Sequence, residues 1–173
     1  MHEDAGVSEL NIGVWRRGDW VRSYVDRRLS PAEILLLLRY RAALSGSVLE
    51  LGPGAGRVTQ YLAELASELT AIEVSPAMAE ACRWNVPVAR VEVGDMQDLG
   101  GIGDGTLDAV VASNNVLDVL DHHERTAMLV ELRRVLAPGG MLLFSTHNRD
   151  GHARRPWQPR DWRRPRALVG DLV

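Results

Sequence analysis

The chain has no lysine: all 20 of its basic residues are arginine. That absence excludes a Schiff base, a P-loop ammonium and a lysine general base. There is a single cysteine, Cys82, so no disulfide can form within the chain. A lone cysteine of this kind reads as core filler in a reducing, cytoplasmic setting. Long apolar runs are also missing. The longest, Ile34 to Leu38, stops at Arg39 and falls far short of the ~18 residues a membrane helix needs. The first ten residues, MHEDAGVSEL, are acidic and lack the apolar stretch of a signal peptide.

What remains is an ordinary globular composition in 173 residues, 46% apolar and 25% charged, which suits one domain. The net charge of −3 is unevenly spread. Residues 1–148 carry 13 Arg against 20 acids, whereas residues 149–173 carry 7 Arg against 3 acids. The end of the chain, with Pro156, Pro159, Pro165, Trp157 and Trp162, has no periodicity and reads as an exposed extension. An Arg/Trp stretch can bind nucleic-acid phosphate, but beside an acidic core a solvated linker is the better reading.

Segments alternate along the chain. Residues 15–28 permit an amphipathic helix carrying Trp20 and Tyr24. Ser30-Pro31-Ala32-Glu33 is a capping box with proline at the first helical position, predicting a helix to about Leu44. Strands are predicted at 47–51, 69–74, 88–93, 107–112 and 141–145. A helix follows the glycine loop, with Val58, Tyr61, Leu62 and Leu65 on one face. Ser75-Pro76 starts the next helix. Asp121 and Glu124 cap another, whose apolar face uses Met128, Leu129, Leu132, Val135 and Leu136 before Pro138-Gly139-Gly140 stops it. This alternation implies an α/β fold: a doubly wound, mostly parallel sheet of about five strands with helices on both faces.

In such a sheet, ligands bind beyond the carboxyl ends of the strands. Each predicted strand ends in a group suited to that. The first ends in Glu50 and the loop Gly52-Pro53-Gly54-Ala55-Gly56, the second in Glu73, the third in Asp95, and the fourth in Ser113-Asn114-Asn115. The steps from Glu50 to Glu73, Asp95 and Asn114 are 23, 22 and 19 residues, each about one βα unit. These groups should gather on one rim.

The glycine loop separates two cofactor readings. A dinucleotide fingerprint needs G-x-G-x-x-G, and here Arg57 stands where its last glycine belongs. Glu50, two residues before the first glycine, would repel a pyrophosphate. A cationic ligand suits this loop better, which disfavours a nicotinamide-dependent oxidoreductase.

The pattern E-x-G-x-G-x-G, with Glu73-Val74-Ser75-Pro76, Gly94-Asp95-Met96 and Val135-Leu136-Ala137-Pro138-Gly139-Gly140 in that order, resembles the class I S-adenosylmethionine-dependent methyltransferases. The resemblance runs from about Val48 to Ser145. It implies a Rossmann-like core at 47–148, an N-terminal helical segment at 1–46 as a candidate substrate lid, and an Arg/Pro/Trp-rich tail at 149–173. It also implies S-adenosyl-L-methionine as cofactor. Gly52, Gly54 and Gly56 would let the backbone approach it, and Glu50 would orient its methionine end. Glu73 would accept from the ribose hydroxyls, and Asp95 from the adenine amino group. Val74 and Met96 would pack on the adenine, while Ser113 and Asn114 would line the sulfonium side. Acceptor-side candidates are His147, Asn148 and Tyr24, and no general base is assigned.

Each assignment has a plainer counterpart. Asp95 can simply cap a turn, Asn114 and Asn115 can simply end a strand, and Tyr24 can simply pack on the sheet. Arg57 can pair with the cofactor carboxylate or stand exposed in the first turn, and it reads as exposed because a cation gains nothing at a helix N-terminus. His122 and His123 read as solvated, and the histidines lack metal-site spacing, so no metal is expected. The family's sheet has seven strands, ending in a hairpin that this sequence does not carry. The chain therefore reads as C-terminally shortened, with an uncovered sheet edge open to self-association. Two readings stay open: a methyltransferase acting on a small molecule, or a non-catalytic cofactor-binding or partner-binding module on the same fold.

Overall fold

The computed structural model describes residues 28–147. Trp20, Tyr24, Asn148 and the 149–173 tail lie outside the described residues. Within them, five strands form one sheet: β1 (Ser47–Leu51), β2 (Glu68–Glu73), β3 (Arg90–Val93), β4 (Leu107–Ala112) and β5 (Leu136–Phe144). Their order is β3-β2-β1-β4-β5, and every neighbouring pair is parallel. The helices are α1 (Pro31–Arg39), α2 (Thr59–Ala63), α3 (Pro76–Asn85) and α4 (His122–Val135), with a 3-10 turn at Val116–Val119.

A parallel sheet covered on both faces needs apolar side chains on both sides of its central strands. β1 supplies them by alternation. Val48 joins a core with Val58, Leu62, Ala71, Cys82 and Val111. Leu49 and Leu51 join the opposite core with Val110, Leu117, Met128 and Leu132. Because successive side chains alternate, Glu50 falls on the Val48 face. Strand order reverses at β1, which has β2 on one side and β4 on the other. The crevice beyond its carboxyl end is where such sheets bind ligands.

The helix starts follow their caps. Ser30 Oγ accepts from the Glu33 amide while Glu33 Oε2 accepts from the Ser30 amide. Asp121 and Glu124 make the same reciprocal pair at the start of α4. Ser75 caps α3, with proline following.

The differences from the sequence reading have local causes. α1 ends at Arg39 instead of about Leu44, because the chain tightens into turns bonded from Ala43 to Tyr40 and from Leu44 to Arg41. This tucks Leu44 fully into the core. Tyr61, Val88 and Leu129 are exposed. β5 begins at Leu136, five residues before the predicted start. Pro138-Gly139-Gly140 ends the helical pattern but not the pairing with β4, whose register shifts from Leu107↔Leu136 to Ala109↔Met141.

Candidate functional site

The loop after β1 is tight enough to dictate its glycines. Gly52 has φ 61°, and a Cβ there would lie 2.8 Å from Val116 Cγ2. Gly56 has φ 93°, and a Cβ there would lie 3.1 Å from Cys82 Sγ. A side chain at either position meets both an unfavourable backbone and a neighbour. The Gly54 amide donates to Glu73 Oε2 at 2.9 Å, and the Ser75 amide donates to Glu73 Oε1 at 2.9 Å. Glu73 therefore stands at the loop, buried, its two oxygens each accepting from a backbone amide. Burial pushes its carboxyl up despite these amides.

Glu50 is more unusual. It is 1% exposed, and its Oε2 is buried with no hydrogen-bond partner. Burial raises its carboxyl to about 7, with the Thr59 hydroxyl and the Arg57 charge opposing and Glu73 adding to the rise. An ionised carboxylate kept from water without a full set of partners is costly. The donor set therefore suits a cationic ligand: two carboxylates at one glycine loop, one with an orphaned oxygen.

The remaining predicted positions continue along the rim. Val74 and Met96 are half-buried at the ends of β2 and β3, and Met96 packs against the second core. Asp95 Oδ1 accepts from the Gln97 amide at 2.9 Å, so it does cap a turn while its carboxylate stays on the rim. After β4, Ser113 is half-buried and Asn114 exposed. Asn114 and Asn115 have φ 56° and 61°, two successive non-glycine residues in left-handed conformation. Ser113 lines an apolar hollow with Leu36, Val58, Phe144 and Ser145, closed on one side by α1.

Arg57 corrects the sequence reading. It is not solvated: its guanidinium forks onto both oxygens of Glu33 at 2.6 Å each, with side-chain exposures of 12% and 16%. That hydrogen-bonded pair holds the Glu33 carboxyl down at about 2, against a smaller rise from burial. The pair ties α1 to the glycine loop. Cys82 behaves as core filler, fully buried, with burial pushing its thiol up to about 11. Among the described residues no cluster could hold a metal ion, and His122 and His123 are exposed.

One residue of the rim escaped the sequence reading. Asp118, in the 3-10 turn after β4, accepts from the His147 amide and meets His147 Nδ1, both at 2.7 Å. Nothing local signals that pairing, since the partners are 29 residues apart.

The core residues match the methyltransferase-domain family over residues 48–140, more than half of the chain. The chain belongs to that family. The ubiquinone biosynthesis O-methyltransferase of Xanthomonas oryzae pv. oryzae is 32% identical over 115 residues, which is 63% of this chain and 46% of that protein. Its namesake from Xanthomonas axonopodis pv. citri is 30% identical over 131 residues, 73% of this chain and 48% of that protein. This methyltransferase-family chain thus spans about half the length of the curated relatives it matches. Among solved structures, the DhpI–SAH complex superposes with a TM-score of 0.65 at 29% identity, covering 82% of this chain and 70% of that one. The CcbJ methyltransferase from Streptomyces caelestis gives 0.62 at 27% identity, covering 75% and 56%. The five-stranded parallel sheet is the Rossmann-like fold expected.

Proposed function

We propose that this chain binds S-adenosyl-L-methionine and transfers its methyl group to a small-molecule acceptor. The observation that carries the reading is the buried Glu50 carboxylate, with its unpartnered oxygen, at the glycine loop that also holds Glu73. When bound, the cofactor supplies a methyl group on a cationic sulfur. The chain's own task is to hold that cation, align the acceptor and keep water out.

Glu50 attracts and orients the cationic methionine end. Gly52, Gly54 and Gly56 leave room for close backbone approach. Glu73 accepts from the ribose hydroxyls through its free acceptor positions, and these charge-assisted bonds are the strongest polar contacts of the site. Asp95 takes the adenine amino group, and Val74 and Met96 pack on its faces. Ser113 and Asn114 line the sulfonium side. His147, at the end of β5, is the acceptor-side candidate among the described residues, while Asn148, Tyr24 and most of the 1–46 lid candidate lie outside them. The names of the relatives, O-methyltransferases of ubiquinone biosynthesis, support a small-molecule acceptor. No helix among the described residues is long and apolar enough to cross a membrane. The single buried cysteine suits a cytoplasmic setting.

A second reading, a cofactor-binding or partner-binding module without turnover, draws on the sheet edge. Among the described residues β5 pairs only with β4, and Phe144 is 48% exposed. Such an edge favours pairing with a second copy.

Calorimetric titration with S-adenosylmethionine and with NAD distinguishes the cofactors, and only the former is expected to bind. Removing Glu73 in Glu73→Ala deletes two charge-assisted bonds at ~1.5–3 kcal/mol each, so affinity should fall by about 100-fold or more. Unchanged affinity in that variant defeats the site assignment. Transfer of labelled methyl to a metabolite extract favours the enzyme, and repeated blanks from cofactor-loaded protein favour the module.

A further inference from the structure

The ends of β4 and β5 are joined by a chain of side-chain contacts that cofactor binding does not require. The Asn115 amide donates to Ser145 Oγ at 2.9 Å. The Thr146 hydroxyl donates to Asp118 Oδ1 at 2.7 Å, and the His147 amide donates to Asp118 Oδ2 at 2.7 Å. The His147 ring then lies between two partners, with Nδ1 at 2.7 Å from Asp118 Oδ2 and Nε2 at 3.1 Å from Asn115 Nδ2. Its side chain is 74% exposed, while that of Asp118 is only 19% exposed.

These contacts fix the chemistry of the ring. Burial pushes the Asp118 carboxyl up, but the His147 amide, the Thr146 hydroxyl and the His147 ring outweigh it and hold it below its ordinary value. Asp118 is therefore a carboxylate, which only accepts, so Nδ1 carries a proton and donates to it. Nε2 is then left with its lone pair, and the Asn115 side-chain Nδ2 donates to that pair. The arrangement is a buttressed imidazole whose free nitrogen opens to solvent on the rim, held in one tautomer by a half-buried carboxylate. A staple between strand ends needs none of this, because the His147 backbone amide already bonds Asp118 whatever side chain follows it.

We propose that His147 is the general base of methyl transfer and that the acceptor is a neutral hydroxyl, with Asp118 and Asn115 as positioning residues. The inference rests on the methyl-transfer reading above. The acceptor hydroxyl displaces Asn115 Nδ2 from His147 Nε2 and passes its proton there. Its oxygen forms the new bond to the methyl carbon as the carbon–sulfur bond breaks, and the sulfur keeps the electron pair. The imidazolium that results is stabilised by Asp118, which stays unprotonated, and releases its proton to water. An acceptor that is already anionic would need no base and would meet the Asp118 carboxylate unfavourably. Asp118 is the charged group the structure brings against the ring among the described residues.

The test uses the full chain, with His147→Gln and Asp118→Asn, and phenols of graded acidity as probes from 4-methylphenol to 4-nitrophenol. Three readouts are taken. Long-range proton–nitrogen NMR of the imidazole should show the Nδ1–H tautomer in the parent protein and lose that preference in D118N. Calorimetry should give S-adenosylmethionine affinities within about twofold of one another for parent and H147Q. The kcat of H147Q should fall by about 10²–10⁴-fold on 4-methylphenol. On 4-nitrophenol, which ionises without help, it should fall by less than tenfold. Equal losses on both phenols, an Nε2–H tautomer in the parent, or cofactor-bound protein that methylates no phenol each overturns the inference. Failure of the parent to bind S-adenosylmethionine overturns the underlying reading, and the inference with it.

Discussion

The two halves of the rim are built on opposite plans. On the β1–β2 side, the carboxylates proposed to hold the cofactor sit inside the protein. Glu50 and Glu73 are 1% and 6% exposed, set against a loop whose shape only glycine permits. On the β4–β5 side, Asn114, Asn115 and His147 lie at or near the surface, and Asn115 and His147 hold one another across two strand ends. The first plan stores unfavourable charge in the folded state and releases it when a cation arrives. The second keeps its one shielded carboxylate, Asp118, paired with the His147 amide, the Thr146 hydroxyl and the His147 ring. A site for an invariant cationic cofactor can be cut into the core, whereas a site for a variable acceptor is more readily changed when it is assembled from loop side chains.

Glu50 gives the sharpest way to break that contrast. Its carboxyl stands at about 7 in the folded protein against an ordinary value of 4.5. Between those values the folded state holds more protons than the unfolded one, so stability falls as pH rises from about 4.5 to about 7. The loss is on the order of 3 kcal/mol. Glu50→Gln should therefore melt higher than the parent at pH 8, with the difference shrinking towards pH 5 in thermal scans. Cofactor binding has the opposite slope. A cation favours the ionised carboxylate, so parent affinity for S-adenosylmethionine should weaken by up to about tenfold per pH unit below about 7. In E50Q that slope should flatten and the affinity should be low throughout. A parent affinity flat between pH 5 and 8 would mean that Glu50 does not meet the cation.

The Glu33–Arg57 pair sharpens the comparison from the side of α1, since it joins that helix to the glycine loop. Glu33 is held at about 2 in the folded state, against an ordinary 4.5. Its contribution is thus present above about pH 4.5 and is lost as pH falls towards 2. Glu33→Gln leaves Arg57 without its fork and removes a capping partner of Ser30, so it should cost about 2 kcal/mol at pH 7 by chemical denaturation. The penalty should shrink in acid. Because α1 also closes the hollow beside Ser113, the same variant should weaken acceptor use more than cofactor affinity.

The sequence revealed much more of the cofactor half than of the acceptor half, and the reason is physical. β1 and β4 were legible to the residue because apolar runs bounded by Ser47 and Ala112 leave little freedom. Ser30-Pro31, Ser75-Pro76 and Asp121 with Glu124 announced their helices through local bonds within four residues. The strand-end positions of Glu50, Glu73 and Asp95 were legible because each closes one βα unit. β5 was not, since Pro138-Gly139-Gly140 has the composition of a helix stop and only the register with Leu107 shows that pairing continues. The contacts that left no trace, Asp118 with His147 on the acceptor side and Arg57 with Glu33 between α1 and the glycine loop, span 29 and 24 residues. Sequence patterns report local bonds, and these are made only by the closed fold.

The smallest effect tests whether the acceptor half is held by geometry alone. Asn114 is exposed and adopts φ 56°, a conformation that asparagine tolerates, glycine prefers and a β-branched residue resists. Asn114→Gly should therefore change stability by no more than about 0.5 kcal/mol, whereas Asn114→Val should cost about 1–2 kcal/mol through the backbone. Cofactor affinity should stay within a few-fold in N114G, because in the proposed site Asn114 only lines the sulfonium side while Glu50 and Glu73 make the charged contacts. Urea titration and calorimetry on the same samples read both quantities. A large loss of affinity in N114G without loss of stability would mean that the Asn114 side chain itself holds the cofactor, and the division between a buried cofactor half and a surface acceptor half would have to move past the end of β4.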